Sequence, residues 1–131
     1  MSALFITLFI SMLLPFLAKA PLVKAMNQLP GGYDNHNPRA QQRALDGFGE
    51  RANAAHYNSF EALSVYAAAV LITVASGDVD TVAIVLGWVF VVSRVVYLLL
   101  YWADKSTPRS LVWLVGMVAA FMMAGRAIWG G

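Results

Sequence analysis

The sequence predicts an all-α integral membrane protein, one subunit of a four-helix bundle. Composition carries the first part of that prediction. Of 131 residues, 60% are hydrophobic and 12% charged, with a mean hydropathy of +0.64. Soluble domains hold roughly 25% charged residues, and half that charge cannot cover a water-facing surface of this size. Lipid is therefore part of the solvent. The second observation is the pattern, four apolar stretches separated by polar connections. The length suits a single domain covering 1–131.

The first stretch, SALFITLFISMLLPFLA at 2–18, predicts a helix over about 2–26, with a kink at Pro15. Its end, AKA before Pro21, imitates a signal-peptide cleavage site. However, no Lys or Arg precedes it and a proline follows, so it reads as a retained helix. Pro30-Gly31-Gly32 then breaks any helix. Asn37-Pro38 reads as an N-cap with proline at the first helical position. From there a helix is expected over about 38–76, weakened at Gly47 and Gly49 and ending in the apolar run ALSVYAAAVLITVASG. Unbroken, it would be about 58 Å long and would project beyond the bilayer. The third run, TVAIVLGWVFVVSRVVYLLLYWA, predicts a helix over about 80–104 interrupted only by Arg94. The fourth, SLVWLVGMVAAFMMAG, predicts one over about 108–129.

Charge assigns an orientation. Lys19, Lys24, Arg39, Arg43 and Arg51 surround the first connection, the GDVD turn has no basic residue, and Lys105 and Arg109 lie in the third. The positive-inside rule then puts both termini outside and the first and third connections in the cytoplasm. The net charge of +2 is a topology signal rather than a nucleic-acid footprint. With no cysteine, disulfides, thiolate metal sites and a protein-borne thiol nucleophile are excluded. His36 and His56 are too few for a metal cluster, and no metal site is expected.

Polar residues align on two helices. At about 100° per residue, Arg51, Ala54, Asn58 and Glu61 share one stripe of the second crossing, with His56 roughly opposite. On the third, Arg94, Tyr97 and Tyr101 follow i, i+3, i+7 and share a face with Phe90. An arginine near a helix centre costs roughly 2.5–3.5 kcal/mol, so such residues face protein or water and find partners. A Glu61–Arg94 contact, direct or across subunits, is the cheapest arrangement. Mutual neutralisation of those two needs no ligand, and Asn58 could be interhelical glue. The surplus argues for a site, because Arg51, Asn58, Tyr97, Tyr101 and Arg109 converge on the same level. Its cationic excess suits an anionic guest, and its position in lipid suits an apolar second one. His56 reads as a packing residue, and Trp88, Trp102, Trp113 and Trp129 as interface anchors or packing aromatics. Met117, Met122 and Met123 read as core filler, while Gly87 and Gly116 would allow close helix approach.

At these residues the chain resembles the membrane-associated proteins in eicosanoid and glutathione metabolism, the MAPEG family, over nearly its whole length. The second crossing carries the family's arginine, asparagine and glutamate as Arg51, Asn58 and Glu61. The third carries arginine, an aromatic and tyrosine as Arg94, Tyr97 and Tyr101, and a basic residue beside a serine opens the fourth as Arg109-Ser110. YDNHNPRAQ and ERANAAHYNSFEA look most like the bacterial branch, which implies a bacterial inner membrane. The resemblance implies a homotrimer that binds glutathione as co-substrate between subunits. It also implies conjugation, isomerisation or reduction of lipophilic substrates in contact with membrane lipid. Arg51, Asn58, Glu61, Arg94, Tyr97 and Tyr101 would hold the tripeptide, and Arg109 would stabilise its thiolate. A guanidinium favours the nucleophilic anion of a thiol whose ordinary pKa is about 8.5. The chain departs from the family at Ala54, where glutathione-using members commonly have a further arginine, and at Tyr57, which is arginine in some relatives. Two other readings compete: a non-catalytic lipid-binding or assembly protein with the same fold, and a small multidrug transporter. The transporter would need an acid in the first helix, which has none.

Overall fold

A computed structural model describes residues 1–130. The described residues form five helices: α1 (Ser2–Asn27), α2 (Pro38–Arg43), α3 (Gly47–Ser76), α4 (Thr81–Trp102) and α5 (Ser106–Trp129). Only α1, α3, α4 and α5 are long and apolar enough to cross a membrane, so the chain is an all-α, four-helix membrane bundle. Helix α1 packs on α3 and α4, and α5 packs on α3 and α4. Helices α1 and α5 lie at opposite corners without touching.

The expectation of one helix over about 38–76 is corrected in one respect. In place of an unbroken helix over 38–76, the chain turns between α2 and α3, where Asp46 is extended and Gly47 adopts φ +55. Glycine enters that left-handed region at no steric cost, so the residue that weakened the helix in sequence is the one at which it breaks. Pro38 does occupy the first turn of α2, although the Asn37 side chain makes no capping bond. At its far end α3 stops at Gly77, φ +81, where Asp78 N–H reaches back to Thr73 O at 3.1 Å.

The core is built on close approach. Tyr66 of α3 stacks on Phe90 of α4 with centroids 4.0 Å apart, and its hydroxyl hydrogen-bonds Thr7 of α1 at 2.6 Å. A Cβ on Gly87 would lie 2.7 Å from that hydroxyl, and one on Gly116 would lie 2.5 Å from Ser93 Oγ. Only glycine lets α4 approach α1 and α3, and α5 approach α4, at these points. Met117 and Met123 are buried, but Met122 is 49% exposed and faces away from the core. His56 is buried and hydrogen-bonds the Pro15 carbonyl at 2.7 Å, tying α3 to α1. It is a packing residue. At the opposite end of the bundle Asp80 caps α4 through Ala83 N–H at 2.8 Å. The same carboxylate accepts from both Nη atoms of Arg126, at 3.2 and 2.7 Å.

Candidate functional site

Three helices deliver polar side chains to one end of the bundle. Helix α4 contributes Arg94, which lies between α1 and α3 at 2% exposure. Its Nη2 donates to Asn58 Oδ1 of α3 at 2.8 Å, and its guanidinium stacks 4.1 Å from the Tyr97 ring centroid. One turn on, Tyr101 meets Tyr97 edge-to-face at 5.6 Å. Arg109, in the first turns of α5, lies 4.2 Å over the Tyr101 ring. Asn58, Tyr97, Tyr101 and Arg109 line a single cleft of about 200 Å³, together with Ser110 and Trp113.

The Glu61–Arg94 contact expected within the chain does not form. Glu61 is exposed and enters no ion pair among the described residues, and Arg94 takes Asn58 as its partner. The two α3 residues are three apart, about 300° around the helix axis, so a modest rotation of α3 decides which one meets α4. Arg51 also stands outside the cleft, 4.0 Å from Asp104 and stacked over Phe48 at 6.0 Å. Asp104 is the one described non-glycine residue at positive φ, +60, a region that aspartate visits more readily than most residues. Lys105 N–H closes the helix end onto Leu100 O at 2.9 Å.

Sequence reasoning missed one wall of the cleft and the partner of Arg51 outside it. Trp113, read as an anchor, walls the cleft one turn beyond Arg109; its i+4 spacing from Arg109 was the available signal. Asp104 carried no signal, since nothing in DKSTPR distinguishes it from an ordinary loop acid.

Separate from the cleft, Ser64, Val65, Ala68, Ala69, Ile72, Ala120, Phe121 and Ala124 of α3 and α5 line a largely apolar groove of about 310 Å³. A cleft with hydrogen-bond donors and an aliphatic groove on the same bundle can hold one polar guest and one greasy one.

Fold and site together define a multi-pass membrane protein with a cationic cleft at one end of its bundle. The family model for the MAPEG family matches residues 3–129, and the chain belongs to that family. Comparison with curated proteins and with solved structures returns no significant match.

Proposed function

We propose that the protein is a glutathione-dependent membrane enzyme, a transferase or peroxidase acting on lipophilic electrophiles or hydroperoxides. The observation that carries this reading is the convergence of Asn58, Tyr97, Tyr101 and Arg109 from three helices on one cleft. The donor set fits an anionic tripeptide. Arg109 and the two tyrosine hydroxyls offer donors, and Asn58 offers an amide held by Arg94. Arg94 does not line the cleft itself, and its charge adds positive potential behind Asn58.

Glutathione would supply a thiol, the nucleophile that a chain without cysteine lacks. Arg109 would hold the proton equilibrium of that thiol toward the thiolate. Stacking on Tyr101 limits where its guanidinium can turn. Arg94, Tyr97 and Tyr101 would orient the peptide, with Arg51 and Glu61 meeting its outer parts or those of a neighbouring subunit. The apolar groove would seat the second substrate with its reactive carbon or peroxide toward Arg109.

The cleft of about 200 Å³ falls below the roughly 300–1,000 Å³ of ordinary small-molecule pockets. One chain then offers part of a wall, and a homotrimer, with Glu61 turned to its neighbour, would complete it. The proposed orientation keeps both termini outside a bacterial inner membrane and the cleft at the cytoplasmic leaflet.

The test is titration of detergent-purified protein with glutathione, following ultraviolet thiolate absorbance. Saturable binding with a thiolate signal is expected for the wild type. The signal should be lost in Arg109→Ala, and binding weakened in Asn58→Ala. A wild type that neither binds nor shows thiolate refutes the enzyme reading. That result would favour the non-catalytic assembly protein, to which Ala54 and the engagement of Arg51 by Asp104 lend support.

A further inference from the structure

A small void at the junction of α1, α3 and α4 has a hydrogen-bonding pattern that no surrounding side chain completes. Ser11 of α1, Ser59 of α3 and Arg94 of α4 line it, with Leu14, Ala62, Leu63 and Phe90 as apolar walls, and its volume is about 10 Å³. The protons around it are accounted for. Ser11 Oγ–H donates to Thr7 O at 2.8 Å, and Ser59 Oγ–H donates to Ala55 O at 2.8 Å. Each hydroxyl has one proton and two lone pairs, so both serines keep only acceptor capacity. Arg94 is 2% exposed, its Nη2 is bonded to Asn58, and its Nη1 is buried without a partner among the described residues. One donor nitrogen without a partner and two hydroxyls with free lone pairs therefore belong to residues that line the same space.

We propose that this void binds a single water molecule that accepts from Arg94 Nη1 and donates to Ser11 Oγ and Ser59 Oγ. Size and valence both select water. A site of about 10–15 Å³ admits one such molecule, and buried waters typically make about three hydrogen bonds. A cation would meet the guanidinium, and an anion would find one donor and two lone-pair oxygens. The bridge holds Nη1 of the guanidinium whose Nη2 is bonded to Asn58. Ser11 and Ser59 thereby become positioning residues, acting on the cleft through Arg94 and Asn58 without touching a ligand. That functional consequence rests on the glutathione reading; the water itself does not.

Two measurements separate them. A high-resolution structure of the purified protein should show ordered density about 2.7–3.2 Å from all three atoms. A void without density, or Arg94 Nη1 bonded directly to a protein acceptor such as a carboxylate of a second copy, overturns the water site. In glutathione titration, Ser11→Ala/Ser59→Ala should bind about tenfold more weakly, the scale of one hydrogen bond to a charged group. The effect should fall on KM for glutathione with the thiolate signal at saturation unchanged. Ser93→Ala, a buried serine that bonds Phe90 O outside the void, should bind like the wild type. Equal weakening in both variants, or none in either, overturns the positioning role. If the double variant does not fold, Ser11→Ala alone is carried through the same measurements. If wild type binds no glutathione, the enzyme reading fails while the density still decides the water.

Discussion

Replacing Asn58 by leucine removes the only protein acceptor that Arg94 has among the described residues. The guanidinium is 2% exposed and bonded to Asn58 Oδ1 at 2.8 Å, and Nη1 is already unpaired among the described residues. A hydrogen bond to a charged group is worth roughly 1.5–3 kcal/mol, and stranding a buried charge pushes the loss to the upper end. Asn58→Leu should therefore destabilise by about 3 kcal/mol. Arg94→Met removes the charge itself and leaves Asn58, which is half-buried and can turn to solvent, so about 1 kcal/mol is expected. The double variant has neither group and should resemble Arg94→Met, which puts the coupling at about 3 kcal/mol by double-mutant cycle. That size distinguishes two physical pictures, because ordinary interhelical hydrogen bonds in membranes couple by about 0.6 kcal/mol on average. Reversible unfolding in mixed detergent micelles measures it. Coupling at or below about 0.6 kcal/mol would refute the claim that Asn58 anchors a buried charge, leaving it as interhelical glue.

Three further expectations follow from individual contacts. Arg109→Ala should raise the pH at which bound glutathione ionises by about 1–2 units; a pH–rate profile that does not move rules out thiolate stabilisation, and Arg109→Lys should recover part of the shift. Gly87→Ala places a Cβ 2.7 Å from the Tyr66 hydroxyl and should destabilise by about 1–3 kcal/mol, read as a lower thermal midpoint in detergent; an unchanged midpoint would mean that α4 shifts freely. The Asp80 carboxyl is held at about 2, first by the Arg126 hydrogen bonds and then by Ala83 N–H. Its pKa is depressed on folding, so its stabilisation is present above the ordinary carboxylate value of about 3.9 and is lost as pH falls toward 2. Asp80→Asn should therefore melt below wild type at neutral pH and converge with it in acid; a constant difference across that range would contradict the assignment.

The crossings were legible because lipid imposes long apolar runs, and the i, i+3, i+7 spacing of Arg94, Tyr97 and Tyr101 put all three on one face without any knowledge of the partner. What periodicity could not supply was the rotation of α3 about its own axis. Asn58 and Glu61 both lie on the stripe that faces the site end. The choice between them depends on packing against α1, where His56 locks onto Pro15 O at 2.7 Å. The break before α3 was half legible. Gly47 was visible as a weak point, but only its φ of +55 makes it a turn. The adjacent methionines were separable by the same reasoning, since Met122 and Met123 point about 100° apart on α5, and only the second reaches the core.

Arg94 joins stability to the proposed chemistry, and this governs how any variant of the site must be read. The residue that would orient a ligand through Asn58 also braces α4 against α3. Loss of glutathione binding in an Asn58 or Arg94 variant consequently does not by itself locate a ligand, because a bundle loosened at that level would lose the cleft as well. Tyr101 offers a way to separate the two. It is half-buried, its ring packs on Tyr97 and under Arg109, and its hydroxyl forms no hydrogen bond with the described residues. Tyr101→Phe keeps both ring contacts and deletes only the hydroxyl facing the cleft. Binding should weaken by the value of one hydrogen bond, about 0.5–1.5 kcal/mol, with no change in the unfolding midpoint. A variant that binds as tightly as wild type would remove Tyr101 from the ligand's contacts and leave it as the shelf on which Arg109 rests.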